Sequence, residues 1–172
     1  MALQRHSGDA QSEISRMVEQ YGNDILRMCY LQLRSTEDAK DAVQETFLKA
    51  YRSFERYQDI GNEKAWLLRI AINTCRDIKR NGWFRFIDHH KPLESIPQPS
   101  EQAEWQDRAI TEAVLQLRQE QRTVIMLYYY EELPVAEIAR ILGVKPRRVY
   151  ALLKSAKKNL HRLLGGDYCH EE

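Results

Sequence analysis

No run of apolar residues in this sequence approaches the roughly 20 needed to cross a bilayer as a helix, so no segment reads as membrane-inserted. The opening residues MALQRHSGDAQSE lack the apolar stretch of an export signal, and the expected location is the cytoplasm. Cysteine is scarce: Cys29, Cys75 and Cys169 are odd in number and far apart. They make no disulfide framework, which fits a reducing compartment, and Cys29 and Cys75 lie among apolar neighbours as core thiols would. No stretch alternates strictly enough to be a convincing strand. There is no glycine-rich phosphate loop, no Ser-His-Asp or Cys-His arrangement in a supporting motif, and no metal constellation. His89-His90 has no third ligand at useful spacing. These absences argue against an enzyme, and no catalytic residue, metal or cofactor is expected.

What the sequence does contain is helical periodicity, and the fold class it implies is all-α. Ile14, Met17, Val18, Tyr21, Ile25 and Cys29 step by three and four residues, as one buried stripe would. Ser35 then opens a second segment with Asp38 three residues on, a capping arrangement. Ala39, Ala42, Val43, Phe47, Ala50, Tyr51 and Phe54 form its apolar stripe, and Asp38, Asp41, Gln44, Glu45 and Lys49 its opposite face. A break at Asp59-Ile60-Gly61-Asn62 precedes a third segment from about Glu63 to Arg80, with Leu67, Ile70, Ala71, Cys75 and Ile78 facing inward. The same helix carries Trp66, Arg69, Asn73, Arg76 and Arg80 along one side, with Lys79 beside them. This second stripe reads as a solvated basic face with one half-buried Trp. It also suits a nucleic-acid backbone and an unstacked base.

Composition changes after Arg85. Pro92, Pro97 and Pro99, followed by Glu101, Glu104 and Asp107, read as an extended, flexible linker. A second helical unit follows, with Ile110, Val114 and Leu117 on one stripe and Val124, Leu127 and Tyr128 on another. Pro134 suits the first turn of a helix whose buried side is Ile138, Ala139 and Leu142. Gly143 ends that helix where a left-handed residue costs least, and Pro146 starts the next, with Val149, Leu153, Ala156, Leu160 and Leu163 inward. Helix, tight glycine turn, helix is the pattern of a helix-turn-helix. Any helical hairpin mimics that pattern, so charge decides. The chain carries a net charge of only +1, yet eight Lys or Arg fall between Arg140 and Arg162, and no Asp or Glu occurs from Ile138 to Gly166. The free face of the last helix holds Arg147, Arg148, Tyr150, Ala151, Lys154, Ser155, Lys157 and Lys158. Solvated charge runs normally mix signs; an acid-free one at this position is what a recognition helix presents to a major groove.

From about Ser12 to Leu164 the chain resembles a bacterial ECF (extracytoplasmic function) sigma factor of the sigma-70 family. Three stretches carry the resemblance. DAKDAVQETFLKAYRSF is similar to the region-2 helix that docks on core RNA polymerase. NEKAWLLRIAINTCRDIKR is similar to the region-2 helix that engages the minus-ten promoter element. LQLRQEQRTVIMLYYYEELPVAEIARILGVKPRRVYALLKSAKKNL is similar to region 4, which reads the minus-thirty-five element.

The resemblance implies two small helical domains: region 2 over 10–85, a linker over 86–107, region 4 over 108–165 and a tail over 166–172. It implies polymerase contacts from Asp38, Asp41, Gln44, Glu45 and Lys49. Minus-ten contacts fall to Tyr57, Asn62, Lys64, Trp66, Arg69, Asn73, Arg76, Lys79 and Arg80, with a base pocket in the loop 57–64. Trp66 is either a stacking surface or a core anchor, and its apolar neighbours Leu67 and Leu68 favour the anchor. Minus-thirty-five contacts fall to Lys145 and the free face of the last helix. The implied partners are core RNA polymerase, promoter DNA and an anti-sigma factor, often membrane-anchored in the family, with no direct membrane insertion of this chain.

Two departures from the family pattern stand out. Lys145 occupies a position usually held by a capping Ser or Thr, a loss of typically about 1 kcal/mol, and Arg118 stands where Pro is common. Two other readings fall short. A stand-alone helix-turn-helix regulator leaves the Asp38–Glu45 face and the second basic helix without a role, and a structural adaptor has no use for the acid-free run.

Overall fold

The computed structural model describes residues 2–54, 62–81 and 104–165, with side chains from residue 10 in the first stretch and from residue 108 in the last. Among these residues every regular element is helical, and no helix is long and apolar enough to cross a membrane. The chain divides into two compact units, residues 1–96 and 97–172. The proline-bearing stretch after Arg85, the pocket residue Tyr57 and the tail lie outside the described residues.

The first unit packs α1 (Ala2–Leu33), α2 (Thr36–Ser53) and α3 (Glu63–Arg80) each against the other two. Met17, Ile25, Met28 and Leu33 of α1 and Leu67 and Leu68 of α3 have no exposure, and Phe47 of α2 is buried with them in the core of this unit. Each such side chain contributes about 1.5–3 kcal/mol through burial. Ala39, Ala42 and Ala50 on α2 have no exposure, so the neighbouring helix axes approach closely there. Thr46 is buried in the same face and donates its hydroxyl to the Ala42 carbonyl at 2.6 Å, which satisfies it inside the core.

The ends of these helices follow local chemistry. Arg34 adopts a left-handed backbone (φ 58°) that turns the chain out of α1. Ser35, extended, accepts the Asp38 amide at 3.3 Å and caps α2. Asn62 caps α3 by accepting the Ala65 amide at 3.0 Å. The start at Glu63 and end at Arg80 agree with the periodicity. α1 reaches back to Ala2, well before the predicted stripe, through a stretch with no proline to stop it.

The second unit holds α4 (Glu104–Gln116), α5 (Gln119–Ile125), a π-helical turn (Met126–Tyr130), α6 (Val135–Leu142) and α7 (Pro146–Leu163). Val124, Leu127, Ile138, Val149 and Ala156 form its centre, all essentially unexposed. Gly143 ends α6 with φ 67°; its amide and that of Val144 bond back to the carbonyls of Arg140 and Ala139. That pair of bonds is a Schellman ending, and it turns the chain directly into α7, where Pro146 takes the first helical position. Pro134 sits one residue earlier than expected, at the N-cap of α6.

Several side chains depart from the inward stripes read from spacing. Val18, Tyr51, Ile110 and Tyr128 are exposed, and Tyr21, Val43, Phe54, Ile70, Ile78, Leu142, Leu160 and Leu163 are only partly covered. For Tyr128 the cause is the π-turn. The Glu131 amide bonds to the Met126 carbonyl, five residues back, at 3.0 Å. That wide turn rotates Tyr128, Tyr129 and Tyr130 off the α5 stripe to the surface.

Candidate nucleic-acid interface

On α7 the inward residues Val149, Leu153 and Ala156 leave two different outer edges. One edge is tied to α5. Arg148 donates to Glu120 at 2.7 Å, the Gln121 amide donates to the Ser155 hydroxyl at 2.7 Å, and Asn159 donates to Gln121 at 3.1 Å. The other edge carries Arg147, Tyr150, Ala151, Lys154 and Lys158 at helical spacing, all exposed, with Tyr150 at 63%. The structure therefore splits the residues read as one DNA face. Arg148 and Ser155 form a braced flank, and the stripe from Arg147 to Lys158 is the surface open to a groove. Lys157 lies 5.4 Å over the ring of Tyr129, a cation–π contact that links the π-turn to the basic helix. Lys145 is exposed and extended at the N-cap position and makes no side-chain cap bond.

On α3, Arg69, Asn73, Arg76 and Arg80 are exposed along one side and Trp66 is half-buried. Arg76 donates to Asn73 at 3.2 Å and Arg80 to Asp77 at 3.0 Å, so the stripe is pre-ordered and one acid interrupts it. Lys79, partly covered, flanks it. Asn62 and Lys64, named for the base pocket, are committed elsewhere. Asn62 uses its side-chain oxygen as the helix cap, and Lys64 pairs with Asp24 of α1 at 2.7 Å. Beside them Arg16 of α1 bonds Glu63 at 2.6 Å. The N-terminus of α3 is thus clamped to α1, which fixes the angle at which the basic stripe is presented.

The acidic face of α2 needs one correction. Asp41 and Gln44 are exposed and Glu45 is half-exposed, but Asp38 is 9% exposed, with Oδ2 buried and without a hydrogen-bond partner. Its position in the first turn, next to the cap, folds it under the helix start, so it belongs to the helix terminus rather than to an outward surface. Lys49 also leaves that face. Its ammonium reaches Thr74 Oγ1 at 3.2 Å and Asp77 Oδ2 at 3.6 Å, both on α3. Spacing missed an apolar component next to the acids. Leu48 is 49% exposed, and with Ile14, Phe47 and Tyr51 it lines an open groove of about 560 Å³ between α1 and α2 that Gln44 also borders. Tyr51 follows the inward spacing of α2 yet lines this groove, because helical spacing alone does not distinguish a core from a surface groove.

Cys29 and Cys75 are fully buried free thiols on facing helices. The hydrogen bond with Cys75 and then burial raise the Cys29 thiol far above its ordinary range. That keeps it protonated and unreactive, in line with a core role. Among the described residues no cluster of three or more metal-ligating side chains occurs.

Comparison with known proteins agrees with this arrangement. The family profile for sigma-70 region 2 matches residues 17–85 and that for sigma-70 region 4 matches residues 107–160. The chain is 29% identical over 169 residues to the ECF RNA polymerase sigma factor BldN of Streptomyces coelicolor, covering 94% of this chain and 63% of that protein. It is 28% identical over 165 residues to SigM of Mycobacterium tuberculosis, covering 95% of this chain and 83% of that one. It is 26% identical over 168 residues to SigW of Bacillus subtilis, covering 90% of each. In fold it is similar to the sigma factor RpoE crystallised with the anti-sigma factor NepR from Bartonella quintana, with a TM-score of 0.76 at 19% identity over 90% of this chain and 98% of that one. The structure of CnrH with the cytosolic domain of CnrY gives a TM-score of 0.68 at 22% identity over 94% and 96%. With both regions present in the family's order, on the helices that carry the basic and acidic faces, the chain belongs to the sigma-70 family of RNA polymerase sigma factors, in its ECF group.

Proposed function

We propose that this chain is an alternative sigma factor that binds core RNA polymerase and directs promoter-specific initiation, with residues 10–85 acting as region 2 and 108–165 as region 4. The observation that carries the reading is the segregation of charge. Asp41, Gln44 and Glu45 stand on α2, while α3 and α7 each bear a basic stripe with almost no acid. An initiation factor that holds DNA with some surfaces and a basic protein clamp with another requires that separation. The α2 face, with Leu48 and the adjoining groove as its apolar centre, is the polymerase-docking surface. The α3 stripe holds the opened minus-ten strand, and α7 enters the major groove of the minus-thirty-five element, fixed by the glycine turn. The linker joins the two. None of these roles is enzymatic; the catalysis belongs to the polymerase.

An anti-sigma factor is the proposed regulator. The similar solved folds, RpoE and CnrH, are both recorded bound to partners, NepR and CnrY, and here the partner is expected to be membrane-anchored while this chain stays in the cytoplasm. Run-off transcription tests the reading: core polymerase with this chain should yield discrete transcripts from a randomised promoter library, enriched for paired upstream and downstream elements. No stimulation over core polymerase alone, or no capture of core enzyme by the tagged chain, defeats it.

A further inference from the structure

Consecutive residues of opposite charge tie the start of α3 to α1 at two separate points. Glu63 accepts Arg16 at 2.6 Å through one carboxylate oxygen and the Tyr21 hydroxyl at 3.3 Å through the other. Lys64 pairs with Asp24 at 2.7 Å. Arg16 is itself held by its own helix, donating to Glu13 and to Gln20 at 2.9 Å each, so its planar fork is already aimed where Glu63 meets it. Arg16 and Asp24 stand eight residues apart on α1, about 12 Å along its axis. Glu63 and Lys64, as neighbours on α3, leave that helix roughly 100° apart. Two diverging anchors resist rotation of α3 about its own axis, which a single ion pair does not. The polarity also reverses from one anchor to the next, so a shifted register would set like charges together. Partly exposed ion pairs add little stability; what these two fix is a rotation.

That rotation decides how Arg69, Asn73, Arg76 and Arg80, farther along the same helix, are presented. We propose that Arg16, Asp24 and Glu63 are positioning residues for promoter opening, which act through protein contacts alone and hold the α3 stripe in the rotation at which it captures the unpaired strand. The proposal rests on the reading of α3 as the minus-ten surface and deepens it. It also assigns Lys64 to the frame rather than to the strand. Its consequence is opposite in sign to that of plain electrostatics. Asp24 and Glu63 are carboxylates at the head of a basic stripe. Were they to act on DNA only through charge, removing either would favour a polyanion. As positioning groups, their removal slows opening instead, because the cost of unpairing and unstacking a base is returned only by contacts in the right geometry.

Holoenzyme reconstituted from core polymerase and the full-length chain tests this on a promoter recovered from the randomised library. Permanganate reactivity of minus-ten thymines over time gives the rate and amplitude of opening, and a band shift at low temperature gives the affinity of the closed complex. Asp24→Asn and Glu63→Gln should each slow opening by roughly two- to fivefold, the factor that such an ion pair is worth, with closed-complex affinity unchanged. Arg16→Gln combined with Glu63→Gln should be no slower than the worse single variant, since both remove one contact. Arg16→Lys, which lacks the fork, should fall between Arg16→Gln and the wild type. Glu19→Gln, which removes an exposed acid elsewhere on α1, should open at the wild-type rate. Opening that is unchanged or faster in Asp24→Asn and Glu63→Gln overturns the proposal. So does a lower amplitude and thermal midpoint at an unchanged rate, the mark of a purely structural role. If Arg69→Gln and Arg76→Gln slow opening while the Arg16, Asp24 and Glu63 variants do not, the positioning role is wrong and the minus-ten reading stands. No opening by the wild-type holoenzyme on any recovered promoter removes both.

Discussion

Arg148 on α7 donates to Glu120 on α5 across 2.7 Å, and this pair divides the recognition helix lengthwise. On the Arg148 side, Ser155 and Asn159 are also bonded to α5 through Gln121. On the other side Arg147, Lys154 and Lys158 face outward with no such brace. An exposed ion pair contributes at most about 1 kcal/mol, so its consequence is geometric: it holds the helix in one rotation against α5 and orients the open stripe.

The first prediction follows from that division. Replacing Arg147, Lys154 and Lys158 together with Ala should abolish dependence on the minus-thirty-five element in run-off assays. Each replacement that removes a phosphate contact should lower the salt slope by about 0.9. Arg148→Ala should cost less, because that guanidinium is already shared with Glu120. With about six phosphate contacts, the wild-type affinity for an upstream duplex should fall roughly a thousandfold between about 50 and 200 mM salt. A nearly flat response would contradict the assignment.

A second prediction separates docking from folding on α2. Asp41→Lys with Glu45→Lys should fold normally and lose affinity for core polymerase, since both side chains lie off the buried face. Ser35→Ala should do the reverse, lowering stability by about 1 kcal/mol through the lost cap while polymerase affinity per folded molecule is unchanged. Thermal melts and a core-enzyme pull-down, run on the same preparations, distinguish the two. Retained core binding in the double charge reversal would move the docking surface elsewhere.

Lys145 gives the third. Its backbone already has the extended geometry of an N-cap (φ −74°, ψ 147°), yet no side chain caps α7. Lys145→Ser should therefore stabilise the chain by about 1 kcal/mol, seen as a rise in the thermal midpoint. If Lys145 meets a phosphate in the complex, the same variant should bind the upstream duplex with a salt slope smaller by about 0.9. Unchanged stability would show that Pro146 alone supplies the preorganisation.

Backbone chemistry is the part of this protein most legible in its sequence. Gly143, Pro146, Ser35 and the break before Glu63 marked the helix ends because each acts through its own φ/ψ limits or side chain, independent of the rest of the fold. Which side of a helix is covered was less legible. Val18 and Tyr51 follow the buried spacing yet are exposed, Tyr51 at the rim of an open groove, and Asp38, an acidic residue, is tucked under the start of its helix. Lys49 reads as part of the α2 face, but the approach of Thr74 and Asp77 draws it to α3. Only the packing of a second element decides these cases. The π-turn was invisible for a related reason: one wide turn shifts the register of every residue after it, and MLYYY carries no signal of the extra residue.

The last prediction concerns Arg122, a charged residue that is 6% exposed inside the second unit. Its Nη2 donates to the carbonyls of Leu115 at 3.0 Å and Leu117 at 2.9 Å. Leu115 lies in the final turn of α4, where carbonyls have no partner within the helix, and a cation there also meets the negative end of the helix dipole. Arg122 is thus the lock between α4 and α5, across the junction where Arg118 stands in place of the proline common in the family. Arg122→Met preserves much of the apolar stem but leaves two buried carbonyls unbonded, at a cost of about 3 kcal/mol. For a unit of this size that lowers the thermal midpoint by more than about 10 °C. Arg122→Lys keeps the charge but lacks the planar fork, so its midpoint should fall between the two. Polymerase capture through α2, in the other unit, should persist in both variants below their melting temperatures. An Arg122→Met chain that melts like the wild type would show that other groups satisfy the α4 carbonyls.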